Sequence, residues 1–208
     1  MQGVYTIYAL IILMMAVVLH EVSHGYTAAI LGDPTAKYAG RLTINPLKHL
    51  DPIGSVIVPI LTTVFGGVTF GWAKPVPYNP YNLRGGKWGP AIVAAAGPLS
   101  NLCLAIFLSF VLHFALFSFL ISSEATRLLI VEAIGINVVL FVVNMIPVPP
   151  IDGSKVLFSL IPYKYNYVIE FMERYQLVMI LIVIVFLNVI ISPIVYILYR
   201  LLINVTLF

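Results

Sequence analysis

Two histidines and a glutamate interrupt a long apolar run near the start of the chain: His20-Glu21-Val22-Ser23-His24. From Tyr5 to Ile30 almost every other residue is Ile, Leu, Met, Val, Ala or Tyr. Ionisable groups at bilayer depth are costly and need a reason to be there. On a helix, residues four apart share a face, so His20 and His24 can offer ring nitrogens to one zinc ion, with Glu21 beside them as a base. The plainer reading is a set of polar residues packed against a neighbouring span. It does not explain why three titratable groups fall within five residues of apolar helix.

Catalytic zinc takes three protein ligands and keeps a position for water. The carboxylates that could supply the third ligand are Asp33, Asp51, Glu124, Glu132, Asp152, Glu170 and Glu173. Asp33 is near the histidines in sequence, but Gly32 and Pro34 beside it suggest a helix stop and a turn. Glu124 falls in a short external loop, and Glu132 lies about 18 Å along its helix from Asn144, too far for the metal. Asp152 is the strongest candidate. It follows Asn144-Met145-Ile146-Pro147-Val148-Pro149-Pro150-Ile151 and precedes Gly153. Those prolines must break the span, and broken backbone at that depth survives where protein buries it or water fills a cavity. The competing role for Asp152 is a helix N-cap for the segment starting at Gly153.

These residues have to be held by membrane-spanning elements. The chain has 208 residues, 61% hydrophobic and 9% charged, with a mean hydropathy of +1.05. Soluble domains carry about 25% charged residues, so a water-covered surface is excluded. Stretches 5–31, 88–121, 128–148 and 176–202 are long enough to span a bilayer, which takes about 20 residues. The first has no basic leader or cleavage pattern and reads as a retained span rather than a signal peptide. Stretch 53–70 is borderline. If it re-enters on one side, nine of the eleven Lys and Arg share one face, which the positive-inside rule makes cytoplasmic. The alternation through 39–45 and the proline-flanked stretch 71–78 predict a small β element at the membrane boundary. The expected fold is therefore an all-α polytopic membrane protein in a single domain over 1–208. It would be a bundle of four to six transmembrane helices with that β element and a re-entrant segment. The formal charge of +3 is spread over loops, which excludes a nucleic-acid surface. The lone Cys103 rules out an internal disulfide and reads as packing. His113 reads as a satisfied structural residue and His49 as a solvated loop residue.

Three motifs taken together resemble the site-2 protease family of intramembrane zinc metalloproteases: His20-Glu21-Val22-Ser23-His24, Gly97-Pro98-Leu99-Ser100-Asn101 and Asn144-x-x-Pro147-x-x-x-x-Asp152-Gly153. They occur in the family's order, and each lies on a span. Stretches 41–49 and 71–77 also resemble short bacterial or archaeal members, which carry no PDZ or CBS domain. The resemblance implies His20, His24 and Asp152 as ligands of one zinc ion per chain and Glu21 as general base. It implies that Asn144 positions substrate or stabilises the tetrahedral intermediate. Asn101 would either take part in catalysis or join two spans by hydrogen bonding. Gly97-Pro98 reads as close helix packing.

The implied reaction is hydrolysis of peptide bonds within or near transmembrane segments of membrane-protein substrates. It would take place in the lipid bilayer of a bacterial or archaeal cell membrane, with the site toward the cytoplasm. An unwound substrate could add as a strand along 41–45. Two other classes use the same residues: a zinc or cation transporter, and an inactive scaffold that binds membrane helices. A transporter has no need of Glu21 as a base, and a scaffold has no need of an open zinc position.

Overall fold

The computed structural model describes residues 2–51, 54, 74–114, 123–186, 189 and 191–204. In chain order the α-helices are α1 (Gln2–Ile30), α2 (Thr35–Tyr38), α3 (Trp88–His113), α4 (Glu124–Asn144), α5 (Asp152–Leu160), α6 (Asn166–Arg174), α7 (Gln176–Phe186) and α8 (Ser192–Ile203). Helices α1, α3 and α4 are long and apolar enough to cross a membrane, and α7 and α8 are shorter apolar helices.

The three long helices pack together because α3 offers little side-chain bulk where they meet. Its buried residues include Ala91, Ala94, Gly97, Asn101 and Ala105, small side chains at helical spacing that let backbones approach closely, as membrane helix pairs require. Ala105 then meets Ile134, Val138 and Val142 of α4 in one buried cluster with Ile191. Ile7, Leu10, Ile106, Phe107, Leu181 and Val185 point outward and are exposed, which suits a lipid surroundings rather than water. Cys103 is also exposed on this outer surface, so it does not pack inside as expected.

The ends of the spans differ from the sequence expectation for local reasons. Helix α4 begins at Glu124 because the Ser123 side chain accepts from the Thr126 amide at 3.2 Å, a side-chain cap. It ends at Asn144, three residues before Pro147, since that proline lacks the amide a continuing helix would need. Helix α1 ends in a turn in which the Asp33 amide donates to Ala28 O at 2.9 Å. Gly32 takes φ +107° there, a conformation that side chains oppose.

The expected β element is not formed: among the described residues there is no strand. Stretch 39–45 turns instead, with Gly40 at φ +64° and the Arg41 and Thr43 amides bonded locally to Ala36 O and Arg41 O. Segment 74–79 is extended but has no partner strand: beyond one backbone bond, Lys74 amide to His49 O at 2.9 Å, it meets side chains. The Val76 amide donates to Glu21 Oε2 at 2.8 Å and the Asn79 amide to Asp33 Oδ2 at 2.7 Å. Alternation predicts a strand only when a second strand lies alongside, and here two carboxylates take the amides first. The re-entrant segment 53–70 and residues 71–73 lie outside the described residues apart from Gly54.

Candidate metal centre

His20 and His24 sit one turn apart on the same face of α1, both under a tenth exposed. Asp152 opens α5 directly after the proline-broken turn. It is the first helical residue and makes no capping bond, so the N-cap role is not what the fold uses it for. Its Oδ2 lies 3.2 Å from His20 Nε2 and 3.1 Å from His24 Nε2. Among the described residues this is the group of three that could hold a metal ion, with ligand atoms within 4.8 Å of one another.

The other ring nitrogens decide what those atoms can do. His20 Nδ1 donates to Asn101 Oδ1 at 2.7 Å, and His24 Nδ1 donates to Val93 O at 2.7 Å. With the protons held on Nδ1, each neutral imidazole turns an Nε2 lone pair toward Asp152. Two lone pairs and a carboxylate oxygen at 3.1–3.2 Å make three converging acceptors, an arrangement that calls for a cation between them. Tetrahedral zinc with bonds of about 2.0–2.1 Å would space its ligands by roughly 3.3–3.4 Å, close to the two separations between Asp152 and the histidines.

Gly97 gives independent evidence of fit. A Cβ at this position would lie 2.6 Å from His20 Nε2 and closer still to His24 Nε2. The space beside the two nitrogens is thus kept clear by the missing side chain, and the expectation of simple helix packing at Gly97 is too weak. Gly153 plays a similar part in the turn: a Cβ there would meet Met145 O and Ile146 O at 2.5 Å, so only glycine lets α5 start against that backbone. Burial opposes ionisation of Asp152. Lys155 Nζ, 3.6 Å from Oδ1, favours the ionised form against it. An ionised carboxylate at this position suits a metal cation.

Glu21 stands next to His20 and is half-buried, its carboxylate held by the Val76 amide. Asn101 does not face an open site. It is fully buried, and its Nδ2 donates to Asn137 Oδ1 at 2.9 Å and to Ala16 O at 3.3 Å. Its amide thereby ties α1, α3 and α4 together while fixing the His20 ring. Asn144 donates to Leu140 O at 2.9 Å within its own helix and is not joined to the histidines or Asp152.

Sequence reasoning missed Asn137, whose Nδ2 bonds Ala133 O at 2.8 Å. The signal was present, since Asn137 is an amide inside the apolar run of α4, as unusual there as the histidines are in α1. It also misjudged His49, which is 1% exposed with Nε2 on Thr43 O at 2.8 Å. His113 faces Ser109 O and Ile203 O at 2.8 and 2.7 Å, the satisfied structural role expected. Asp33 is no metal ligand but a buried clamp, bonded by Thr35, Asn79 and Asn82.

Apolar helices long enough to cross a membrane, around a largely buried His-His-Asp cluster, give a helical protein with a candidate metal centre. The chain is 38% identical over 159 residues to a protein of Bacillus subtilis named "Putative zinc metalloprotease YwhC", covering 74% of this chain and 69% of that one. It is 32% identical over 146 residues to "Putative zinc metalloprotease Rip2" of Mycolicibacterium smegmatis, covering 69% of this chain and 53% of the relative. The Mycobacterium tuberculosis Rip2 is 28% identical over 155 residues, and the chain spans about half the length of each Rip2 protein. No family model and no solved structure matches the chain. The chain belongs to the site-2 protease family, whose relatives here carry the name of zinc metalloproteases.

Proposed function

We propose that this protein is an intramembrane zinc metalloendopeptidase that hydrolyses peptide bonds within or near transmembrane segments of membrane-protein substrates. The observation that carries the reading is the convergence of His20 Nε2, His24 Nε2 and Asp152 Oδ2 beside Glu21, inside helices apolar enough to lie in lipid. His20, His24 and Asp152 would hold one zinc ion. When bound, zinc supplies Lewis-acid chemistry, polarising a carbonyl and lowering the pKa of water to about 7. Glu21 accepts the water's proton and returns it to the leaving amine. The Val76 amide holds one oxygen of that carboxylate, Oε2, and thereby orients the other. Asn101 and Val93 O fix the imidazole tautomers, so the rings bind metal through Nε2 and spend no proton in the reaction.

Asn144 is assigned to substrate from the family motif, which places it near the turn that carries Asp152. The substrate must arrive locally unwound, because an intact helix hides its peptide bonds. Stretch 41–45 turns and offers no strand edge for it. The distribution of Lys and Arg supports a cytoplasmic site, since His24 and Asp152 both lie toward the ends of their spans on the cation-rich side.

The test is to express the wild type and Glu21→Gln in the same cells and compare membrane-protein fragments. Fragments that require Glu21 support proteolysis. Identical fragment patterns, together with metal flux that Glu21→Gln leaves intact, would instead identify a transporter.

A further inference from the structure

Glu132 is a carboxylate in the apolar interior of α4, eight residues past Glu124 and so about 12 Å into the helix. It plays no part in the metal centre. It is exposed, and no hydrogen bond or ion pair to it is found among the described residues. An ionisable group at this depth with no cation paired to it among the described residues is unstable in lipid unless something covers it.

Glu132 opens into a cleft of about 690 Å³ between α1, α4 and α8, whose walls include Leu13, Val143, Ser192, Tyr196 and Tyr199. The floor is set by a close approach of α4 and α8, where a Cβ on Gly135 would lie 3.3 Å from the Tyr199 ring. Arg200, next to Tyr199 on α8, donates to the Tyr196 hydroxyl at 2.9 Å. The cleft borders the same helices as the metal centre. Leu13 is seven residues before His20, hence on the same face of α1 about 10 Å away. Along α4 the wall reaches Val143, beside Asn144.

We propose that this cleft receives a transmembrane helix carrying a Lys or Arg side chain, which pairs with Glu132, and that this helix is the substrate. The identification as substrate rests on the proteolytic reading above. The occupant follows from charge and depth. A lipid headgroup lies at the interface, above Glu132, whereas a cation on a crossing helix can reach it and relieve the cost of both charges. The cleft is a long apolar wall with one anionic point. It would therefore hold an apolar helix in one register, with the basic residue one to three helical turns from the peptide bond presented to Glu21.

The test measures binding without catalysis. Full-length Glu21→Gln protein in phosphatidylcholine nanodiscs is titrated with a fluorescent Leu/Ala transmembrane peptide carrying one Lys, moved position by position. Expected is a binding maximum at one depth, about tenfold tighter than the all-Leu/Ala peptide, the scale of one strong interhelical polar contact. Glu132→Gln should remove that preference, and Glu132→Lys should transfer it to a peptide carrying Glu. The proposal is overturned if no Lys position binds more tightly than the Leu/Ala host, or if Glu132→Gln weakens host and Lys peptides alike. Because the Lys scan itself uses unmodified Glu132, a misfolded substitution does not decide the result. Proteolysis could fail its own test while this binding persisted, and the reverse also holds.

Discussion

Asn101 and His20 lie 81 residues apart in sequence, yet their side chains meet at 2.7 Å, with the His20 Nδ1 proton on the amide oxygen. The contact settles which imidazole nitrogen is free, so an amide on α3 sets the chemistry of a histidine on α1. Asn137 extends the chain to a third helix.

Asn101→Ala is therefore expected to weaken zinc binding by about 10–100-fold, the usual effect of losing a ligand's hydrogen-bond partner. Competition against a chromophoric chelator reads the change. Asn101→Asp keeps an acceptor for Nδ1 and should recover most of the affinity, while Asn137→Leu should fall between the two.

Gly97→Ala places a methyl group against both Nε2 atoms. The purified protein should retain its helical circular dichroism but hold far less than one zinc ion per chain. Ala94→Gly, one turn earlier on the same buried stripe, should leave zinc content unchanged. Equal zinc in Gly97→Ala and wild type would show that the gap beside the histidines is not the metal's place.

Val76→Pro removes the amide that holds Glu21 Oε2, in a segment already extended and flanked by Pro75 and Pro77. Turnover should fall roughly tenfold or more, given about 1.5–3 kcal/mol for a hydrogen bond to a charged group. Zinc content and substrate KM should stay near wild type, which separates positioning of the base from loss of the metal or of binding.

Asp33 is fully buried. Burial raises its pKa, but bonds from the Thr35 hydroxyl, the Asn82 amide group and the Asn79 and Thr35 backbone outweigh that and lower it. A carboxyl lowered on folding stabilises the fold above its unfolded value of about 3.9. That contribution is lost as pH falls through the folded value. Asp33→Asn should thus loosen the packing of 74–84 against the end of α1 at pH 7, read as faster amide exchange, and the gap from wild type should close below about pH 4.

The long helices and the members of the His20, His24 and Asp152 cluster were legible in the sequence because each departs sharply from its background. Histidines in an apolar run mark themselves, and prolines at 147, 149 and 150 mark the break that presents Asp152. The β element was misread because the Val76 and Asn79 amides go to Glu21 and Asp33, partners that periodicity cannot reveal. His49 looked solvated among Lys48 and Asp51, but its ring folds back on Thr43 O, a contact that sequence neighbours do not reveal. Asn101 and Asn137 were visible as polar residues, whereas their order in a chain ending on His20 required the packing of three helices.

Purified protein in liposomes with a single-span substrate, followed by mass spectrometry of the products, tests the central claim most directly. Wild type should cut within or beside the substrate's apolar segment, and Glu21→Gln should retain one zinc ion per chain and make no cut. Cleavage that survives Glu21→Gln, or a zinc-loaded wild type that cuts no membrane-spanning substrate, would contradict the account.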